Sequence, residues 1–454
     1  MRKSPWTQRL LRHTAIPALL VSLAVPGIMA LDVFRQKEEA VVLLETLSGN
    51  PSVLSDVVLQ GEIADAVHRT SFRVAGGQVE NRTTLLRQPK AERAYRYSYG
   101  GRKRIGLGDD LEYEVGDVGP YRIVARSMSA PDQTGRSASI PAITRPVKKS
   151  DGSESRSFAN PLEYGLAGDG DKLYFVEPVT REAGGEATIY EIGKEDLFGQ
   201  AKDSDGAPIR KRVSWPLVPA SVDPAKAVDV LGLEVVRGNL IVILYGREGL
   251  TLRCYDAGSG EQTGTVTLPD IRIGGSDESE PSKAPVTTQV QEGYRAYADN
   301  RANSLTLGFP RSFEENREGW AEEVLSFTFD SEFRLAHRVT VDDPNTRESR
   351  LGYGDATAMS YQNGKLYTIR SLNILHSADQ QREDSLALPS SIRINVYQEG
   401  KRLYQGALIT DLNDDLLELP DPSAYSGGGF SYRVERYRTL MNASFFPRNE
   451  EVGP

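Results

Sequence analysis

Residues 228–268 read VDVLGLEVVRGNLIVILYGREGLTLRCYDAGSGEQTGTVTL. Runs rich in Val, Ile, Leu, Tyr and Thr alternate here with turn residues, first Arg237-Gly238-Asn239 and then Asp256-Ala257-Gly258-Ser259-Gly260. β-branched and aromatic residues favour strands, whereas glycine, asparagine and aspartate favour the turns between them. The stretch therefore predicts a four-stranded antiparallel meander, with strands over 228–235, 240–245, 250–255 and 263–268.

The same pattern recurs along the chain at a regular period. An apolar strand follows a turn at Leu111, Leu173, Leu240, Leu305 and Leu366, at successive intervals of 62, 67, 65 and 61 residues. Third strands predicted over 187–192, 250–255, 324–329 and 392–397 keep the same phase. A four-stranded sheet needs neighbours to bury its faces, so this period indicates repeated units stacked radially or in line.

The amino terminus has the charge pattern of an export signal. Residues 1–13 carry four basic residues and no acid, and residues 15–31 carry no formal charge. Basic residues before an apolar run place the amino terminus inside the cell and the rest of the chain outside. Apolar positions then continue to Leu47 without proline or glycine, which predicts a stalk helix.

These features predict four regions and a single-pass protein of the cell membrane. They are a cytoplasmic basic region (1–13), a transmembrane anchor or signal peptide (14–31), a stalk helix (32–49) and an extracytoplasmic repeat domain (50–454). Secretion after cleavage near Ala30 is the alternative. The membrane is therefore one expected partner, through the N-terminal helix.

The strand–turn–strand over 252–268 resembles that of WD-type and quinoprotein-type β-propeller repeats. With its N-terminal segment, the whole chain resembles membrane-anchored extracytoplasmic propellers of Gram-positive bacteria. The resemblance implies an all-β fold, a β-propeller of about six to seven four-stranded blades; a two-domain β-sandwich is the alternative. Repeats of this kind usually span about 40 to 50 residues, so the extra length is expected in loops.

Composition and motifs exclude several functions. Lys and Arg total 54 against 63 Asp and Glu, a net charge of -9 that argues against a nucleic-acid partner. One cysteine, Cys254, and four histidines leave little material for a disulfide or a zinc site. Residues 411–415 begin like a calcium loop but lack its turn glycine. No cofactor, metal site or catalytic residue is predicted, since no nucleophile elbow, phosphate loop or zinc-protease motif occurs.

The long connections indicate where a function would lie. In an antiparallel blade, turns between strands one and two and between three and four share one face, and the other connections share the opposite face. Most long segments belong to the second group, which predicts a ligand site on that face. The residues expected to bind there are Arg317, Trp320, His376 and Arg382, because exposed arginines and aromatics dominate binding energy. Burial of Trp320 between blades is the alternative.

Together these observations favour a membrane-tethered binding or sensing module whose partner is an envelope protein or a glycan. A subunit of an envelope complex has the same sequence features. The alternative is an exported propeller enzyme acting on a saccharide or related polymer, in which Glu314 or Glu315 would be tested first.

Overall fold

The computed structural model is all-β. It describes residues 39–65, 68–85, 105–106, 111–116, 122–127, 134–139, 145–148, 154–157, 165–170, 172–176, 185–193, 210–218, 220–223, 225–273, 288–290, 293–311, 320–330, 332–343, 346–348, 358–374, 390–412, 416–420, 432–436 and 438–448. Within these ranges, no helix is long and apolar enough to span a membrane. The predicted anchor at 14–31 lies outside them.

In chain order the strands are β1 (Val42–Gly49), β2 (Val57–Ala64), β3 (His68–Ala75), β4 (Gln78–Leu85), β5 (Ile105–Gly106), β6 (Leu111–Gly116), β7 (Arg122–Ser127), β8 (Thr134–Ser139), β9 (Arg145–Lys148), β10 (Glu154–Ser157), β11 (Leu166–Asp169), β12 (Lys172–Val176), β13 (Gly185–Gly193), β14 (Arg210–Leu217), β15 (Val228–Val236), β16 (Asn239–Gly246), β17 (Gly249–Asp256), β18 (Gln262–Leu268), β19 (Ile271–Ile273), β20 (Thr288–Val290), β21 (Arg295–Asp299), β22 (Ser304–Pro310), β23 (Trp320–Thr328), β24 (Arg334–Asp343), β25 (Thr346–Glu348), β26 (Ala358–Gln362), β27 (Lys365–Ile374), β28 (Ser390–Gln398), β29 (Lys401–Thr410), β30 (Leu416–Pro420), β31 (Tyr432–Arg436) and β32 (Thr439–Pro447). A 3₁₀-helix, Pro51–Asp56, lies between β1 and β2.

These strands form six antiparallel sheets of four or more strands. Sheet I has the order β32-β2-β3-β4, and sheets II to V are the meanders β5–β8, β11–β14, β15–β18 and β21–β24. In sheet VI, β27, β28 and β29 are followed by β1 on the outside, while β26 and β25 pair with successive halves of β27. Three further pairs are β9 with β10, β30 with β31, and the parallel β19 with β20.

The meander predicted over 228–268 is confirmed as sheet IV. Its second strand is apolar at successive positions because both of its faces are buried. Leu240, Val242 and Leu244 pack into a core with Tyr174 and Trp215 of sheet III. The alternate residues Ile241, Ile243 and Tyr245 pack into a second core with side chains of sheet V, including Leu305 and Phe327.

Every other described interface follows the same plan. Val324 and Val339 of sheet V share a core with Leu366 of sheet VI, and Tyr367 of sheet VI packs with Phe445 of sheet I. The first strands β5, β11, β15, β21, β26 and β32 contact one another in that order. The arrangement is β-propeller-like, and it is incompatible with the two stacked sheets of a sandwich domain.

The repeated leucines occupy equivalent positions. Leu173, Leu240, Leu305 and Leu366 each begin the apolar part of a second strand, and each is fully buried. Each also pairs with a residue of the first strand and one of the third, as Leu240 does with Val235 and Tyr255. The period read from the sequence is thus the repeat of the sheets.

Both ends of the chain complete sheets begun elsewhere. The C-terminal β32 pairs with β2 and supplies the innermost strand of sheet I. The N-terminal β1 pairs with β29 and supplies the outermost strand of sheet VI. Sheets I and VI are neighbours, so each terminus adds a strand beside the junction between the first and the last sheet of the chain.

The prediction of a stalk helix over 32–49 is wrong for the second half of that segment. Residues Val42–Gly49 form strand β1, so the sheet-forming chain begins before residue 50. The apolar spacing of Val41, Leu44 and Leu47 is helical, but pairing with β29 supplies a continuous backbone ladder and buries Val42 in the core with Leu408. Long-range pairing overrides the local periodicity. Residues 32–38 lie outside the described part of the chain.

We predict that Leu240→Ala or Leu366→Ala lowers the free energy of unfolding by about 2 to 5 kcal/mol, because each change leaves a cavity between two sheets. The matched control is Val222→Ala, since Val222 is 74% exposed and its truncation should change stability by less than about 0.5 kcal/mol. Urea unfolding followed by circular dichroism measures both. Equal stability of the three variants would contradict the burial of these second strands between two neighbouring sheets.

Candidate functional site at the long-loop end

The two ends of the sheets differ in their connections. At one end, here the short-turn end, the first and second strands are joined by residues 170–171, 237–238 and 363–364, and β28 and β29 by residues 399–400. In Arg237-Gly238 and Asn363-Gly364 both residues have positive φ, as a two-residue hairpin of type I′ requires. The connection 194–209 between β13 and β14 is the long exception at this end.

At the opposite end, here the long-loop end, the connections are 177–184, 311–319 and 375–389. The links from one sheet to the next also lie at this end, among them 269–294 between β18 and β21. Three connections there are short, residues 65–67 between β2 and β3, 117–121 between β6 and β7, and 247–248 between β16 and β17. The predicted separation is therefore present in part: the links between sheets lie at the long-loop end, but short connections also occur there, and 194–209 is long at the short-turn end.

Hydrogen bonds fix neighbouring sheets to one another at the short-turn end. Asp169 of sheet III accepts from the Gly238 amide of sheet IV at 3.1 Å. Asn300 of sheet V accepts from the Arg237 amide at 2.9 Å, and Asp299 accepts from the Ser360 hydroxyl of sheet VI at 2.7 Å. These bonds link four successive sheets, III to VI, close to that end.

A buried ion pair joins sheets V and VI towards the long-loop end. Glu322 is the third residue of β23, and Arg370 lies in the second half of β27. Both residues therefore lie close to long connections, the one that precedes β23 and the one that follows β27. Arg370 donates through Nη2 to the Glu322 carboxylate, and both side chains are almost completely buried. Gly308, on the neighbouring strand β22, leaves room for this carboxylate, because a Cβ there would collide with it.

Tyr297 and Arg295, on the innermost strand β21, extend this cluster towards the axis of the ring. Burial raises the pKa of the Tyr297 phenol to about 12, with the Glu322 charge raising it further and the charges of Arg295 and Arg370 opposing that rise. The phenol therefore stays protonated. It can donate a hydrogen bond but cannot act as a base at neutral pH.

A second cluster joins sheets IV and V on the other face of β23. Glu323 accepts from Arg338 Nε at 2.5 Å and from the Thr340 hydroxyl at 2.9 Å. Arg338 also donates to Asp270 at 2.5 Å and to Thr288 at 3.1 Å. Asp270 and Thr288 belong to the link 269–294 between the two sheets. Arg338 therefore binds this link to strand β24 of sheet V.

A third cluster lies at the long-loop end of sheet I, where β2 ends and β3 begins. Asp65 is buried, and its carboxylate lies 3.0 Å from His68 Nδ1 through either oxygen. The same carboxylate accepts from the His68 backbone amide at 2.6 Å. A carboxylate on Nδ1 fixes that nitrogen as the donor and leaves Nε2 to face a different partner.

The chemistry of these clusters is that of structural ion pairs. Each of the buried carboxylates Glu322, Glu323 and Asp65 is bound by an arginine or a histidine. Among the described side chains, no group of three or more His, Cys, Asp or Glu is arranged to hold a metal ion.

Of the four predicted binding residues, only Trp320 lies in the part of the chain that the structure describes. Arg317, His376 and Arg382 lie outside the described residues, as do Glu314 and Glu315. Trp320 is the first residue of β23 and pairs with Asp343, which places its backbone at the long-loop end. The expectation that these four side chains meet around one ligand stays a prediction.

Cys254 is confirmed as a small buried hydrophobe. It lies in the core between sheets IV and V, where burial raises the pKa of its thiol.

Asp411, the first residue of the calcium-loop-like stretch, instead accepts from the Val41 amide at 2.7 Å beside the start of β1. His337 is buried and stacks on Tyr361, and burial lowers the pKa of its imidazole.

Sequence reasoning missed the charged clusters beneath the loops. The signal for two of them was the adjacent pair Glu322-Glu323 in the apolar strand AEEVLSF. Side chains alternate across a strand, so two consecutive carboxylates in a strand buried on both faces require a cation on each side. The spacing of Asp65 and His68 was a local signal of the same kind.

Comparison with known proteins finds no matching family model and no curated relative. Among solved structures, the phage phi92 endosialidase has 9% identity and a TM-score of 0.32, with 86% of this chain and 74% of that chain covered. The GH43 endo-arabinanase from Bacillus licheniformis has 9% identity and a TM-score of 0.28, covering 65% and 93%. Kluyveromyces lactis Hsv2 has 8% identity and a TM-score of 0.27, covering 79% and 99%. These similarities are too loose to assign a function.

We predict that Glu322→Gln lowers the free energy of unfolding by about 3 to 5 kcal/mol, because it leaves the Arg370 guanidinium buried without its carboxylate. The double variant Glu322→Leu with Arg370→Met should lose much less than the single variant. Glu80→Gln is the matched control, since Glu80 forms an exposed pair with Arg73 that contributes at most about 1 kcal/mol. Chemical denaturation measures all three, and a Glu322→Gln variant as stable as the control would contradict a bracing role.

Proposed function

We propose that this protein is an extracytoplasmic binding or sensing module, held at the cell membrane by its N-terminal segment. Its long-loop end binds an envelope protein or a glycan, either transiently or as a subunit of an envelope complex. The bound partner contacts Arg317, Trp320, His376 and Arg382, which belong to the connections 311–319 and 375–389 or border them.

The observation that carries this proposal is the asymmetry between the two ends. The short-turn end is hydrogen-bonded from sheet to sheet, whereas the long-loop end presents connections from several sheets on one side. Binding residues are disproportionately carried on loops that a rigid scaffold positions. The three charged clusters lie beneath those loops and hold the strand ends in place.

The same clusters favour binding over catalysis. A catalytic acid and base must lie within reach of one reacting atom, and at least one is expected to have a pKa moved towards neutrality. The buried carboxylates of sheets V and I are committed to Arg370, Arg338 and His68. These ion pairs and hydrogen bonds hold the strand ends together, and the long connections above them are left to recognise a partner.

Site-specific photocrosslinking in cells tests the proposal. A benzophenone amino acid is placed at Phe313 or Tyr425, in long connections, and at Glu399, in a two-residue turn of the short-turn end. We expect the same crosslinked partner from both positions 313 and 425 and none from position 399. Capture from position 399 alone would place the binding surface at the wrong end.

Alanine substitutions then identify the binding residues. We expect one or two of Arg317→Ala, Trp320→Ala, His376→Ala and Arg382→Ala to reduce capture at least tenfold, because a few aromatic or arginine residues dominate an interface. Arg402→Ala, at the exposed start of β29 near the short-turn end, is the matched control. Turnover of a cell-wall saccharide that is lost in Glu314→Gln or Glu315→Gln would establish the enzyme alternative instead.

A further inference from the structure

An apolar patch surrounds the point at which the N-terminal segment enters the fold. Six large apolar side chains are exposed among the described residues, and five of them lie on β1, on its partner β29, on the neighbouring β4 or directly before β1. They are Val41, Leu43, Leu47, Leu85 and Ile409, here called the N-terminal patch, and Leu43 is the most exposed of them at 58%.

Three members of this patch lie side by side in sheet VI, and a fourth comes from the neighbouring sheet I. Leu43 and Ile409 are register partners on adjacent strands, so their side chains lie side by side. Val41 precedes Leu43 by two residues and projects from the same side of the strand. Leu85 follows Thr83, which accepts from the Ala40 amide at 2.9 Å, so β4 approaches the same point.

The outer strand of sheet IV shows what a solvent-facing strand of this protein normally contains. The exposed positions of β18 are Gln262, Thr263, Thr265 and Thr267. Radially arranged sheets diverge towards the rim, so their outermost strands face water and carry polar residues. Leucines at the equivalent place in β1 indicate that something covers them.

The topology shows which end of the molecule carries the patch. Val42 pairs with Thr410, the last residue of β29, and Gly49 pairs with Tyr404 near its start. Because β29 begins at the short-turn end, the chain enters β1 at the long-loop end. Only residues 32–38 separate Glu39 from the uncharged run 15–31, and seven residues span at most about 25 Å when extended.

We propose that the N-terminal patch lies against the surface of the lipid bilayer and turns the long-loop end towards the membrane. This inference rests on the membrane tether of the proposed function. Glu39, Glu45 and Asp411 are carboxylates on or beside the patch, so attraction to anionic headgroups does not drive the contact. The contact is hydrophobic and is expected in zwitterionic lipid.

The inference is tested on the full chain reconstituted into phosphatidylcholine vesicles. An environment-sensitive fluorophore is attached to Leu43→Cys or Ile409→Cys, and to Arg402→Cys as the matched control, an exposed position of β29 near the short-turn end. The native Cys254 is 1% exposed, and the unsubstituted chain measures its labelling. We expect lipids carrying a nitroxide to quench the fluorophore at positions 43 and 409 at least threefold more than at position 402.

Three results would overturn the inference, and they are distinguishable. If the chain floats with the vesicles but positions 43 and 409 are quenched no more than position 402, the patch faces water, although the N-terminal segment does bind the membrane. Shielding of positions 43 and 409 from both lipid and aqueous quenchers would show that protein covers the patch. If the unsubstituted chain does not float with the vesicles, the tether itself fails, and the inference fails with it.

Discussion

The structure depends on one constraint, that sheets IV and V are apolar on both faces and must be covered on both. Strand β16 shows it most directly, because its even-numbered residues pack against sheet III and its odd-numbered residues against sheet V. A stack of such sheets leaves two uncovered faces unless it closes on itself. Sheets I and VI cover one another in this way, and β1 and β32 are the strands that the two ends of the chain add to them.

The two ends of the molecule differ in their connections. Hydrogen bonds link one sheet to the next near the short-turn end. The links between sheets and most of the long connections within them lie at the other end. Hydrogen-bonded pairs such as Glu322 with Arg370 and Asp65 with His68 lie where strands emerge from the core into these connections.

Much of the fold was predictable from the sequence, because strand composition, turn residues and the recurring leucines are local signals of one repeated unit. Strand β1 was not predictable, since its partner β29 lies more than 350 residues away and Val41, Leu44 and Leu47 have helical spacing. The partner of Glu322 was hidden for the same reason, as Arg370 lies on another sheet. Only the Asp65 and His68 pair, three residues apart, was within reach of sequence reasoning.

The central claim is that the ring is one cooperative unit closed by its terminal strands. The most direct test is hydrogen exchange of the full chain carrying Leu440→Asp, which places a charge at a buried position of β32 that pairs with Ile63. Val222→Asp is the exposed control. The account predicts that amides of β2, β16 and β22 lose protection together, although β16 and β22 lie on sheets far from the substitution. Loss confined to sheet I, with β16 and β22 protected as in the control, would contradict it.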